Sequence, residues 1–220
     1  MEYNTNAVAQ PTGSAIEINK VLKNTYMLLG ALLLFSGVTA FAAAAMGLPR
    51  PNVWIILAGF YGLLFLVHKT QNSPAGIFSA FALTGFMGYT LGPILGMIMA
   101  NAPQIVAMAL GGTGLIFFGL SAYVLTTKKD MSFMSGFMVA GAIVLMVAVV
   151  ANLFLQIPAL SLAISAAFML FSSAAIMWQT SAIIHGGERN YIVAAVGIFV
   201  SLYNIFVSLL QLLMAFGGDD

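Results

Sequence analysis

The sequence predicts an all-α, polytopic membrane protein of seven transmembrane helices with the last helix central in the bundle. Three observations carry that reading. Apolar residues make up 61% of the 220-residue chain and charged residues 6%, a balance suited to lipid rather than water as the solvent. The apolar residues fall into long runs, and no acidic or basic side chain sits deep inside any of them. The final run gathers its amides and hydroxyls onto one stripe, which has to be turned away from lipid.

Residues 1–24 read as a flexible polar tail, since Asn4, Thr5, Asn6, Gln10, Pro11, Thr12, Gly13 and Ser14 leave its first half little to bury. From Ile16 the pattern becomes that of an amphipathic approach helix, with Ile16, Val21 and Leu22 apolar and Glu17, Lys20 and Lys23 polar. A secretory signal is not expected: no basic residue precedes Lys20, and the first apolar run is long enough to span, although Ala40-Phe41-Ala42 offers a cleavage-like triplet. The seven-helix domain is expected over 25–216 and a short tail over 217–220. Its runs lie at about 25–46, 53–67, 76–100, 104–125, 132–155, 158–182 and 191–216. At about 1.5 Å per residue, roughly 20 residues cross a hydrocarbon core about 30 Å thick. The second run is short and needs Pro51, Asn52 and His68 at its ends, or a locally thinner bilayer. Run length and the lack of period-two alternation exclude a β-barrel.

The charges between the runs set the topology. Successive compartments hold Lys20 and Lys23, then Arg50, then Lys69, then none, then Lys128 and Lys129, then none, then Arg189. Six of these seven basic residues share the side of the N-terminus. The positive-inside rule makes that side cytoplasmic, places Asp219-Asp220 outside and requires an odd number of spans. The outer connections, 101–104 and 156–159, are short and contain Pro103 and Pro158, so their flanking helices form antiparallel hairpins. A net charge of +1 excludes a nucleic-acid-binding role. Without cysteine there is no disulfide framework and no thiolate metal site.

Two runs carry patterns beyond simple apolarity. The third has Gly88, Gly92 and Gly96 at four-residue spacing, a small-residue ridge that lets another helix approach closely. Pro93 within it removes an amide donor and crowds the preceding turn, which predicts a kink or break over 91–94. In the last run Ser201, Asn204, Ser208 and Gln211 recur at intervals of three, four and three, on one helical stripe. Two readings stay open for it. Interhelical hydrogen bonding, at about 0.6 kcal/mol per contact, is the first. A polar path lining a pore or cavity is the second.

Gln179, near the end of the sixth run after Ser172 and Ser173, is placed to reach the last helix or to lie at the interface beside Trp178. Asn152 and Gln156 read as helix-end hydrogen bonders. His68, beside Lys69, reads as a solvated loop residue. His185 and Glu188 flank two glycines that break the helical geometry a metal site would need. The 14 methionines read as lipid-facing or core filler rather than a copper path. No catalytic constellation, nucleotide motif, metal site or cofactor site is expected. Both histidines lie outside the apolar runs, and Gly111-Gly112-Thr113-Gly114 lacks the Lys-Ser/Thr that grips phosphate.

The stretches Lys20-Val-Leu-Lys-Asn-Thr-Tyr26, Thr84-Gly-Phe-Met-Gly-Tyr-Thr-Leu-Gly-Pro-Ile-Leu95 and Ser121-Ala-Tyr-Val-Leu-Thr-Thr-Lys-Lys-Asp-Met-Ser132 are distinctive, as are Ile183-Ile-His-Gly-Gly-Glu-Arg-Asn-Tyr191 and Ser201-Leu-Tyr-Asn-Ile-Phe206. As a set they resemble the bacterial YccA-like branch of the Bax inhibitor-1 family, from about Lys20 to the C-terminus. The resemblance implies a bundle whose last helix is surrounded by the other six. It also implies a non-enzymatic protein of the bacterial inner membrane that associates with the AAA protease FtsH, with its regulatory complex as a further partner. In that role it would be a substrate through its N-terminal tail and a modulator of the protease's action on other membrane proteins. Calcium-leak members of the wider family resemble one another in a pair of aspartates thought to share a pH-gating proton. The matching positions here are Gln179 and Ser201, with Asn204 kept in the motif, and neither replacement titrates. Weak Ca²⁺ or cation passage is therefore the alternative function, and a pH-gated leak is not expected.

Overall fold

The computed structural model describes residues 15–217. The expectations for 1–14 and for Asp219-Asp220 fall outside those residues. Seven helices follow in order: α1 (Ala15–Ala45), α2 (Val53–Thr70), α3 (Ala75–Asn101), α4 (Pro103–Thr127), α5 (Ser135–Leu155), α6 (Pro158–Ile184) and α7 (Tyr191–Phe216), with one 3-10 turn at Ser132–Met134 before α5. Each of the seven is long and apolar enough to cross a membrane.

The approach helix expected from Ile16 is continuous with the first span, so α1 has 31 residues. At about 46 Å it overreaches the hydrocarbon core and carries Lys20 and Lys23 beyond it. The short second run lengthens at its C-terminal end, from 67 to Thr70. Asn52 caps it by accepting the Trp54 amide at 2.9 Å, and the last turn takes in His68 and Lys69. His68 is therefore helical, not in a loop, with its Nδ1 2.9 Å from the Leu64 carbonyl. The cause is length: the apolar run is too short, so the helix extends into its polar C-terminal flank. Pro103 and Pro158 open α4 and α6 at the first turn, where a missing amide donor costs nothing. The Asn152 carboxamide oxygen accepts the Ile157 amide at 3.1 Å, and Gln156 ends α5 with a positive φ of 52°.

Of the kink or break expected over 91–94, a break does not occur: α3 runs unbroken through Pro93. The glycines on either side of it lie against α1. A Cβ on Gly88 would strike the Ser36 carbonyl and the Thr39 hydroxyl; one on Gly92 would sit 2.5 Å from both the Ala40 carbonyl and the Ala43 Cβ. At Gly96 the nearest atom, the Ala44 Cβ, is 3.3 Å away. Small side chains on α1 thus meet the glycine ridge of α3 on both sides of the proline.

Helix α7 is the most buried of the seven, and α2 and α5 are the least. It touches α1, α2, α3, α4 and α6. Ile198, Phe199 and Ile205 interleave with Leu29 and Leu32 of α1, Leu83 of α3 and Ile176 and Ile183 of α6 in one core. The last helix is central, but the resemblance implied six neighbours and five are present. Helix α5 packs on α6 and stands clear of α7.

At the end of the bundle that carries Lys69, Lys128 and Arg189, the connections are tied together. The Asn190 carboxamide oxygen caps α7 by accepting the Ile192 and Val193 amides, while its Nδ2 donates to the Gln71 carbonyl at 2.9 Å and to Asn72 Oδ1 at 3.1 Å. The Ser181 hydroxyl accepts the Met131 amide at 2.9 Å, and the His185 Nε2 lies 3.1 Å from the Lys128 carbonyl. Glu188 accepts the Asn190 amide at 2.7 Å. The Ser132 amide, donating to Asp130, holds that exposed carboxyl below the usual carboxylate range. Gly186, at φ +73°, supplies the left-handed turn that ends α6.

Replacing Gly92 by Leu should therefore force α1 and α3 apart and cost about 2–3 kcal/mol, whereas Gly96→Ala should cost under about 1 kcal/mol. Reversible unfolding in mixed detergent micelles measures both; equal losses would mean that the ridge is not what sets the helix spacing.

Candidate functional site: a polar seam along the central helix

In hydrocarbon a carboxamide or hydroxyl without a partner costs several kcal/mol. The seam of α7 meets this demand differently at its two ends. At the inner end the Ser201 hydroxyl donates to the Gly197 carbonyl at 3.1 Å and accepts from the Gln179 Nε2 at 3.1 Å. Gln179 thus reaches α7 across the α6–α7 interface, and Gly197 makes room for it, since a Cβ there would strike the carboxamide oxygen. That oxygen has no hydrogen-bond partner among the described residues. The same holds for the buried hydroxyls of Thr25 and Tyr26 on α1, Ser121 on α4 and Thr180 on α6. A buried oxygen left unpaired costs about 1–3 kcal/mol, a demand that ordered water meets.

At the other end Asn204, Ser208 and Gln211 face the gap left by α5. Together with Asn152 of α5 and Ser161 and Ser165 of α6 they line a cleft of about 280 Å³. The Ser165 hydroxyl donates to the Gln211 carboxamide oxygen and lies 3.0 Å from the Ser161 carbonyl. Ser208 is buried, Asn204 is half-buried and Gln211 is exposed. Asn204, 13 residues into the 26-residue α7, marks the middle of the membrane, so the cleft reaches from one face to about the midplane.

Gln179, Ser201, Asn204, Ser208 and Gln211 therefore divide into an inner pair and a group of three, joined along one face of α7. The ridge of Gly88, Gly92 and Gly96 with Pro93 lies elsewhere, against α1. Sequence reasoning missed Ser161 and Ser165, yet a signal was present: Ser161, Ser165, Ser172 and Gln179 recur at intervals of four, seven and seven on α6. It also missed the hydroxyls of Thr25, Tyr26, Ser121 and Thr180, which belong to no such repeat. Every described acidic residue, Glu17, Asp130 and Glu188, sits at a helix end or in a connection, so the seam offers dipoles and no carboxylate. Among the described residues no three His, Asp or Glu side chains gather as metal ligands.

The pattern of the family model described as inhibitor of apoptosis-promoting Bax1 matches residues 18–218. The chain belongs to the Bax inhibitor-1 family. It is 59% identical over 206 residues to an uncharacterized protein of Pseudomonas aeruginosa, covering 93% of each chain. It is 58% identical over 201 residues to the modulator of FtsH protease YccA of Escherichia coli strain K12, covering 91% of this chain and 92% of that one. The same identity and coverage relate it to the inner membrane protein YccA of Escherichia coli O6:H1. The chain is accordingly a multi-pass protein of the bacterial inner membrane, close to the YccA proteins of this family.

With Gln179 and Ser201 in hydrogen-bond contact, a carboxylate at each position would make a like-charged pair whose proton affinity rises. Purified wild-type protein in vesicles should show no steep dependence of Ca²⁺ flux between about pH 6 and 8, and the Gln179→Glu, Ser201→Asp double variant should acquire one. Fluorescent Ca²⁺ indicators inside the vesicles read both. A steep pH dependence in the wild type would mean that a titrating group outside this pair controls the seam.

Proposed function

We propose that this protein is a membrane-embedded modulator of an FtsH-type AAA protease and is itself drawn into that protease by its N-terminal segment. One observation carries the reading: 58% identity across nearly the whole of both chains to a protein named as modulator of the FtsH protease. The architecture supports it. The seam is neutral and the exterior apolar, so interaction rather than chemistry is what the bundle offers. The loops at the basic end are tied by Asn190, Ser181 and His185 into a firm platform.

The N-terminus is proposed to be cytoplasmic and the C-terminus periplasmic, on the strength of six basic residues against one. Residues 1–14 precede α1 and are polar in sequence, which suits them as the handle a processive unfoldase engages before melting a bundle. Residues 25–216 are proposed as the membrane domain, with the first turns of α1 leading into it. Weak cation passage is the second reading, favoured by the cleft that reaches Asn204 from one face.

Deleting residues 1–14 should leave the bundle folded and lengthen the protein's half-life in cells about threefold or more, because the protease would then have to begin on a packed helix. A chase with and without FtsH decides it: equal FtsH-dependent half-lives would move recognition to the loops or the helices. Co-purification from native membranes tests the partner itself. Loss of the protease from the wild-type complex under mild detergent, in repeated preparations, would leave the modulator reading without support.

A further inference from the structure

A second opening, about 530 Å³, lies on a different face of α7 and is larger than the polar cleft. Helices α1 and α4 flank it, and they meet through Tyr26 and Phe117, whose ring centroids lie 5.9 Å apart. Each contributes the same trio at four-residue spacing, Leu33, Gly37 and Phe41 from α1 and Leu110, Gly114 and Phe118 from α4. The floor is apolar too, built by Phe199, Leu202 and Phe206 of α7 and Leu91 and Leu95 of α3. Of its three hydroxyl-bearing residues, Thr113 and Tyr203 already donate to the carbonyls of Ala109 and Met87.

Dimensions select the occupant. Along α1 the groove runs from Leu33 to Ala44, about 16 Å of helix, which is half of a hydrocarbon core about 30 Å thick. One leaflet deep, the groove continues the lipid-facing surface of the bundle, where Phe41 and Phe118 are 68% and 70% exposed, so the acyl chains of the bilayer are the apolar groups that meet it. Its outer mouth, at Ala44 and Val106, adjoins the α1–α2 connection that carries Arg50. Arg50 is exposed. It is also the one basic residue on that side of the bundle. A guanidinium at that level faces lipid phosphates, to which it can offer paired donors.

We propose that the α1–α4 groove is a phospholipid site, holding one acyl chain against α7 with the phosphate at Arg50, in the leaflet on the side of the α1–α2 connection. Gly37 and Gly114 allow a clean test because a Cβ on either meets nothing within 4 Å. Leu at these positions fills the groove without disturbing the packed helices. Gly30 and Gly119 are equally open and lie outside the groove, so Gly30→Leu and Gly119→Leu serve as controls.

Native mass spectrometry of full-length protein, released from micelles containing palmitoyl-oleoyl phosphatidylglycerol, reads retained lipid directly. The wild type and both controls should retain one phospholipid. The Gly37→Leu, Gly114→Leu double variant should retain about tenfold less. Arg50→Gln should keep the chain but lose the preference for phosphatidylglycerol over a diacylglycerol that lacks phosphate. A photo-crosslinking residue in place of Leu110, activated in native membranes, identifies the occupant independently and should give a lipid adduct. Equal retention by groove-filled and control variants overturns the proposal. So does a crosslink to a second copy or to another protein in place of lipid.

Discussion

A carboxamide in hydrocarbon has no water to fall back on, and the rest of this bundle is arranged around that fact. Helix α7 carries Asn204 and Gln211, with Ser201 and Ser208 on the same stripe. At the periphery these groups would face lipid at a cost of several kcal/mol. Placed centrally, the inner end finds Gln179, while the outer end opens to a cleft that water can enter from one face. The surrounding helices can then be apolar outward, as Phe78, Leu115, Phe137 and Phe154 are.

The second constraint is spacing. Glycines on α3 bring its backbone against α1, and that pair forms the most closely packed side of the bundle. No such ridge draws α1 to α4 or α5 to α7, so their backbones stand apart, although Tyr26 of α1 still reaches Phe117 of α4. The two gaps differ in chemistry because α7 presents different faces to them. At 100° per residue, Phe199, Leu202 and Phe206 point well away from Asn204, Ser208 and Gln211. One helix thus floors an apolar groove on one side and lines a polar cleft on the other.

The connections at the basic end are held by short polar ties rather than by burial. Asn190 both caps α7 and binds the α2–α3 connection, and His185 and Ser181 bind the α4–α5 connection. A partner meeting this end encounters loops whose relative positions are set by hydrogen bonds, which lowers the ordering cost of association. That is a property a modulator of another membrane machine can use, and it needs no reactive group.

How much of this was legible in the chain depends on the range of each interaction. Seven helices, their order and the central place of α7 follow from local signals: run length, loop charge and the spacing of Ser201, Asn204, Ser208 and Gln211. The Gln179 contact with α7 was within reach because both residues lie in marked patterns on adjacent helices. The extension of α2 through His68 and the unbroken course of α3 through Pro93 were not, because bilayer thickness and the neighbouring α1 override the local preference in each case. Nor could the sequence say that α5 would stand clear of α7, or that Leu33-Gly37-Phe41 and Leu110-Gly114-Phe118 would face each other across a gap. By itself the sequence determined which residues cannot face lipid, since transfer free energy belongs to each side chain. Only the tertiary structure decided which helices close on one another, because that rests on the fit of surfaces far apart in the chain.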